Sequence, residues 1–171
     1  MKPLYIMGGD HALTIHPLKA KYGNKKDYLT VSRTGCLMLE FIPLGNTGSM
    51  NSSETGRSFK WTDKQGFVVD PKKCAQLLLI EAKRKESFMI EFQYSKDGQK
   101  KLLTFESAWD KGGVKLNFSN TSVDNVINYD SIIPPVDFLL VQKMIDYSLP
   151  YMMGWNILDN SNISPEDILK E

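Results

Sequence analysis

The chain has 171 residues, 42% of them hydrophobic and 24% charged, with 21 Lys/Arg against 20 Asp/Glu for a formal net charge of +1. That length suits one domain with a real core, and the near-neutral total excludes a uniformly basic nucleic-acid binder. No apolar run reaches the roughly 18 uncharged residues of a membrane-spanning helix, because Asp137, Lys143 and Asp146 interrupt the longest one. The first ten residues show neither the apolar run of a secretory signal nor the Arg- and Ser-rich pattern of a transit peptide. Cys36 and Cys74 stand far apart with no Cys-x-x-Cys pair, which supplies neither a disulfide framework nor a zinc site. Charge is unevenly spread. Residues 1–35 hold six Lys/Arg and two Asp, 57–85 hold eight Lys/Arg and three Asp/Glu, and 134–171 hold two Lys and six Asp/Glu. A basic face fits inside such a total, and so does simple solvation of the surface.

In chain order, His11–Pro17 alternates and is β-branched, so it reads as a strand closed by Pro17. Lys19–Asp27 reads as a basic loop turning at Gly23-Asn24. Tyr28–Arg33 and Cys36–Ile42 read as strands joined in a hairpin by a tight turn, the second apolar on both faces except at Glu40. Leu44–Gly56 is a Gly-, Ser- and Asn-rich loop without the Gly-Lys-Ser/Thr ending of a phosphate loop. Arg57–Thr62 reads as a fourth strand and Phe67–Val69 as a short extended piece. Phe59 and Trp61 share parity, which favours the core for both.

Asp70-Pro71 suits a helix start, with Asp as cap and Pro in the first turn. The helix is expected to reach about Ala82, with Lys83-Arg84-Lys85 near its negative end. Ser87–Ser95 and Lys100–Ser107 form a hairpin around Asp97-Gly98, and Val114–Ser119 and Asn125–Asp130 are two further strands. Pro134–Trp155 is the longest helical pattern. Phe138, Val141, Ile145 and Met152 make one apolar row, and Leu140, Met144, Tyr147 and Tyr151 make a second. Two rows make a face broad enough for the domain on one side and a neighbouring subunit on the other. Pro150 predicts a kink or break, and Gly154 suits the C-cap. Two groups of about four strands, each followed by a helix, predict an α+β fold with antiparallel sheets. Residues 1–155 form the domain, and 156–171 are a polar, acidic tail.

Chemistry-bearing patterns are sparse. His11 and His16 are five apart on a strand and point to opposite faces, so they do not share a metal. No metal or cofactor is expected. Asp10-His11 is the best candidate catalytic dyad, and a loop-to-strand junction explains it as well. Lys60-Trp61-Thr62-Asp63-Lys64-Gln65 mixes an aromatic ring, cations and an amide, the ingredients of a single-strand binding surface.

Several blocks resemble the Whirly family of single-stranded-DNA-binding proteins, which is related to the mitochondrial guide-RNA-binding proteins of kinetoplastids. Ser32-Arg33-Thr34-Gly35-Cys36-Leu37-Met38-Leu39-Glu40-Phe41-Ile42-Pro43 is similar to the family's Ser-Arg-x-Gly-x-x-Met-Leu-x-Phe-x-Pro. The stretch from Trp61 to Lys64-Gln65 resembles Asp-Trp-Ser-Arg-Lys-Gln, and Leu149-Pro150-Tyr151-Met152-Met153-Gly154-Trp155 resembles Met-Pro-Tyr-Leu-Leu-Gly-Trp. The resemblance implies two four-stranded antiparallel sheets packed crosswise, with two helices holding a homo-tetramer. It also leaves room for a hetero-oligomer with a related chain. It implies a non-enzymatic binder of single-stranded DNA or RNA with little sequence preference, working in an organelle, the mitochondrion by this likeness. Lys64 and Gln65 match family positions in the binding region. Lys26, Arg33, Lys60, Lys100 and Lys115 join Lys64 as phosphate partners, and Tyr28 and Trp61 are the stacking rings. Where plant members carry Lys-Gly-Lys-Ala-Ala-Leu, this chain has Gly8-Gly9-Asp10-His11-Ala12-Leu13, without either lysine. That loss supports the alternative of an interaction subunit that keeps the fold without the nucleic-acid surface.

Overall fold

The structure is a computed structural model and describes residues 4–7, 10–25, 28–45, 59–80, 86–123 and 125–155. Most of the Gly/Ser loop, Lys26, the Lys83-Arg84-Lys85 run and the acidic tail therefore lie outside the described residues. Among the described residues, ten strands form two four-stranded antiparallel sheets and one two-stranded ribbon. The first sheet has the order β1 (Leu4–Met7), β2 (His11–Leu18), β5 (Cys36–Pro43), β6 (Gln65–Val69). The second is a meander of β7 (Met89–Lys96), β8 (Gln99–Ala108), β9 (Gly113–Thr121) and β10 (Val126–Ile133). Helix α1 (Pro71–Leu78) follows the first sheet and α2 (Pro135–Met153) the second, the repeated order that the pattern predicts.

Each sheet buries the face that its alternation makes apolar. Leu13, Ile15, Leu39 and Phe41 of the first sheet meet Leu103, Phe105, Leu116 and Phe118 of the second in one core cluster. At its centre Phe41 stacks on Phe118 at 4.6 Å between ring centroids. The β7–β8 turn places Asp97 at φ 51° and Gly98 at φ 76°, the left-handed pair of a tight hairpin. Asp70 caps α1, accepting from the Lys73 backbone N–H at 3.0 Å. The other end of α1 is closed from α2, because Gln142 Nε2 donates to the carbonyls of Leu77 (2.8 Å) and Ile80 (2.7 Å).

Four expectations change. Leu4–Met7 is an additional strand, paired with β2. Residues expected as a basic loop contain β3 (Lys21–Lys25), and it is β3, not β5, that pairs with β4 (Tyr28–Arg33). The pairs Leu18↔Cys36 and Lys21↔Arg33 make β2–β3 and β4–β5 two arms of one long hairpin. Its ladder is interrupted where Ala20 N–H donates to Tyr151 O (3.1 Å) and Gly35 N–H to Met152 O (2.7 Å). A Cβ on Gly35 would lie 2.0 Å from the Leu18 carbonyl oxygen, so the arms close up here only around glycine. The expected Arg57–Thr62 strand is replaced over its described part. Phe59 makes a single bridge to Leu44, Trp61–Asp63 is a 3-10 turn, and the strand is Gln65–Val69. Helix α2 runs through Pro150 to Met153 without a break. Pro150 and Asp146 are both exposed, so water can reach the carbonyl that loses its partner.

The helix ends at Gly154, φ 79°, whose backbone N–H bonds back to the last turn. A Cβ there would lie 2.6 Å from Val31 Cγ2 on the ribbon. Gly154→Ala is therefore expected to lower stability by about 1–3 kcal/mol, read as a shifted denaturation midpoint with an unchanged slope.

Candidate nucleic-acid interface

The outward row of the first sheet runs Tyr5, Thr14, Glu40, Gly66, as the registers Tyr5↔Thr14, Thr14↔Glu40 and Glu40↔Gly66 dictate. The next row is His16, Met38, Val68. Above β6 the 3-10 turn is tied to the end of β5 by Lys60 N–H donating to Pro43 O at 2.9 Å. The turn leaves Lys60 exposed and Trp61 53% exposed, so Trp61 is a surface ring and not the core residue that its parity suggested. A 3-10 turn breaks the two-residue period on which that reading rested.

Lys64 and Gln65 sit at the junction of turn and sheet. Lys64 Nζ bonds Glu40 Oε1 at 2.6 Å, and Thr14 Oγ1 donates to Glu40 Oε2 at 3.4 Å. His16 Nε2 lies 3.8 Å from the same Oε2. The bond from Lys64 holds the Glu40 carboxyl below the usual carboxylate range, against an opposing push from burial. Gln65 Oε1 accepts from Asn120 Nδ2 at 2.9 Å, and Lys101 Nζ donates to Gly66 O at 2.9 Å, so the second sheet steadies the start of β6.

The structure gathers Lys60, Trp61, Lys64 and Gln65 into one patch. Arg33 is exposed at the end of β4 in the ribbon, before the start of β5, and the span of β5 from Cys36 to Phe41 that separates it from Gln65 is about 17 Å of strand. Lys100 and Lys115 point outward from the second sheet, on the opposite side of the sandwich. There Lys115 lines an open groove of about 350 Å³ together with Thr104, Asn117, Ser119, Asn128 and Asp130. Tyr28 begins β4, with its side chain outside the described set, and Lys26 lies outside it altogether.

Two features were not singled out by the sequence reading. One is Glu40, whose only signal was a lone charge in an apolar strand. The other is Ser131, which completes a relay with Asp10 and His11. His11 Nδ1 lies 2.6 Å from Asp10 Oδ1, and His11 Nε2 lies 2.7 Å from Ser131 Oγ. With the proton on Nδ1 facing the carboxylate, Nε2 accepts the Ser131 hydroxyl. The order of atoms is that of a hydrolase relay. His11 has no exposed surface, however, and Ser131 is buried, with Phe41 and Tyr129 against the imidazole. Neither presents a face to a substrate, and the arrangement works as a polar clamp between β2 and β10.

The first of two antiparallel sheets packed on a shared core thus carries an exposed ring beside cations at its outer side. Residues 6–138 match the family model described as Whirly transcription factor, and the chain belongs to the Whirly family. The single-stranded DNA-binding protein WHY1, chloroplastic, of Solanum tuberosum is 28% identical, over 95% of this chain and 58% of that protein. Its Zea mays counterpart is 31% identical over 80% of this chain and 50% of that protein. The chain thus spans between half and three-fifths of the length of these relatives. Among solved structures, WHY1 from Arabidopsis thaliana superposes with a TM-score of 0.78 at 23% identity, covering 94% of this chain and 89% of that one. The trypanosome MRP1/MRP2 structure gives 0.51 at 9% identity, covering 91% and 86%.

Ser131→Ala leaves the buried His11 nitrogen without its donor and is expected to cost about 1–3 kcal/mol in a denaturant melt. The bond to His11 lowers the Asp10 carboxyl from its ordinary value. A depressed folded value gives stability that is present above the unfolded value of about 3.9 and is lost as pH falls through the folded one. Asp10→Asn should therefore reduce stability at pH 6, and the difference should shrink as the pH falls below about 3.9, as read from melts across that range.

Proposed function

We propose that this chain is a non-enzymatic binder of single-stranded DNA or RNA with little sequence preference, acting as an oligomer in an organelle. The observation that carries the reading is Trp61, half-exposed between Lys60 and Lys64 on the turn that leads onto the first sheet. An exposed ring beside cations stacks a base while the ammonium groups take the flanking phosphates, and neither contact depends on sequence. The names of the plant relatives support single-stranded DNA as a ligand and an organelle as compartment. The mitochondrion is the particular organelle we assign, from the resemblance to the kinetoplastid proteins.

Helix α2 supports the oligomer. Phe138, Val141, Ile145 and Met152 are buried against the domain, while Leu140 is 49% and Tyr147 65% exposed on its other side. Apolar area of this kind calls for a cover, and we assign it to other copies in a homo-tetramer. No helix among the described residues is long and apolar enough to cross a membrane. A second reading, an interaction subunit without nucleic-acid affinity, is favoured by the pairing of Lys64 with Glu40 and by the absence of lysine at positions 8 and 10.

Fluorescence anisotropy with one labelled sequence as single-stranded DNA, single-stranded RNA and duplex, at low and physiological salt, decides between them. Salt-sensitive binding of the single strands and not the duplex is expected. No binding at low salt would leave the interaction subunit. Trp61→Ala is expected to weaken binding by about 1–3 kcal/mol. Lys60→Ala should flatten the slope of log affinity against log salt by about 0.7.

A further inference from the structure

Glu40 is the one charged residue in β5, an otherwise apolar strand, and its outward parity sets it on the first sheet's outward face beside the buried Thr14. Its carboxylate is only 16% exposed, and each oxygen is engaged. Oε1 takes the Lys64 ammonium at 2.6 Å, while Oε2 faces the Thr14 hydroxyl at 3.4 Å and the His16 ring at 3.8 Å. The two sides of this pair differ in freedom. Glu40 is held within a central strand and by Thr14, whereas Lys64 lies outside the strand, is 47% exposed and carries its charge on a flexible four-carbon stem.

We propose that Glu40 is a built-in stand-in for a backbone phosphate, an autoinhibitory counter-ion that nucleic acid must displace from Lys64 before that lysine can contribute to binding. The inference rests on the single-strand reading given above and adds a brake to that site. A carboxylate and a phosphodiester each present one negative charge over two oxygens to an ammonium group, so they compete for it directly. Binding by the wild type exchanges one anion for another at Lys64 and leaves Glu40 in need of a solution cation, so little net counterion release results at that position. With Glu40 neutral, Lys64 is free to take a phosphate and release its counterion.

The test is the anisotropy titration repeated on Glu40→Gln, an isosteric change that removes the charge. Binding should tighten about two- to fivefold, the scale of a single surface charge pair. The slope of log affinity against log salt should steepen by about 0.7. Adding Lys64→Ala to Glu40→Gln should abolish the gain, because the two residues act as one unit. Glu91→Gln, an exposed carboxylate on the second sheet, controls for net charge and should give a clearly smaller effect.

Unchanged or weaker binding by Glu40→Gln overturns the inference, as does an equal gain from Glu91→Gln. If the wild type binds and Glu40→Gln adds nothing, only this inference falls. If neither binds at low salt, the single-strand reading falls with it. A silent wild type with a binding Glu40→Gln supports a complete brake. Should Glu40→Gln fail to fold, carboxylate ¹³C resonances of the wild type give the answer. The Glu40 signal should move on saturation with single-stranded DNA as Lys64 leaves it, and an unmoved signal in the bound state overturns the inference.

Discussion

The constraint on which everything else depends is that each of the two sheets carries an apolar face that only the other sheet covers. Such faces are stable against each other and unstable against water, so the sandwich closes with its aromatic stack of Phe41 on Phe118 inside. Closure then dictates the exterior. Because side chains alternate, every strand that contributes to the core also presents a row outward, and the candidate surface is the other half of the same pattern. Neither α1 nor α2 contributes to the candidate surface. They close the ends of the core and leave α2 with an apolar side still to be covered.

A buried polar contact beside that core narrows the ways in which the sheets can meet. Burying an imidazole without partners is costly, and His11 has one on each nitrogen, Asp10 at the edge and Ser131 from the opposing sheet. Greasy faces alone tolerate sliding, whereas a hydrogen bond of 2.7 Å does not. Geometry that would mean acyl transfer on an open surface here means registration between two layers, and the difference lies in burial rather than in residue type.

Legibility followed sequence distance. Strands with one clear apolar face, such as Tyr28–Arg33 and those of the second sheet, are visible in the alternation, and α2 in its two apolar rows. Lys-Tyr-Gly-Asn-Lys of β3 has no apolar alternation, and its Gly23-Asn24 pair reads as a turn, so nothing in its pattern announced a strand. The turn at Trp61 broke the period used to bury that ring. For the candidate site, Lys60, Trp61, Lys64 and Gln65 could be found together because they are contiguous. The partners that decide how they behave are remote: Glu40 is 24 residues from Lys64, and Asn120 is 55 from Gln65. Such pairings are made by the fold and have no local signature. Lys100 and Lys115 carry the right charge, and only the topology reveals that they serve the opposite face.

The gap in the long hairpin bears on how the chain comes off the ribosome. Ala20 and Gly35 are buried, and their amide hydrogens bond to carbonyls of the last turn of α2 instead of to each other's strands. A buried N–H needs a partner, and these two meet theirs only after the whole second sheet has been synthesised. Until then the hairpin can form on either side of the gap, with the gap itself still hydrated. The gap, though its residues are translated early, is the part that must wait, and its two hydrogen bonds are made only when the last turn of α2 docks.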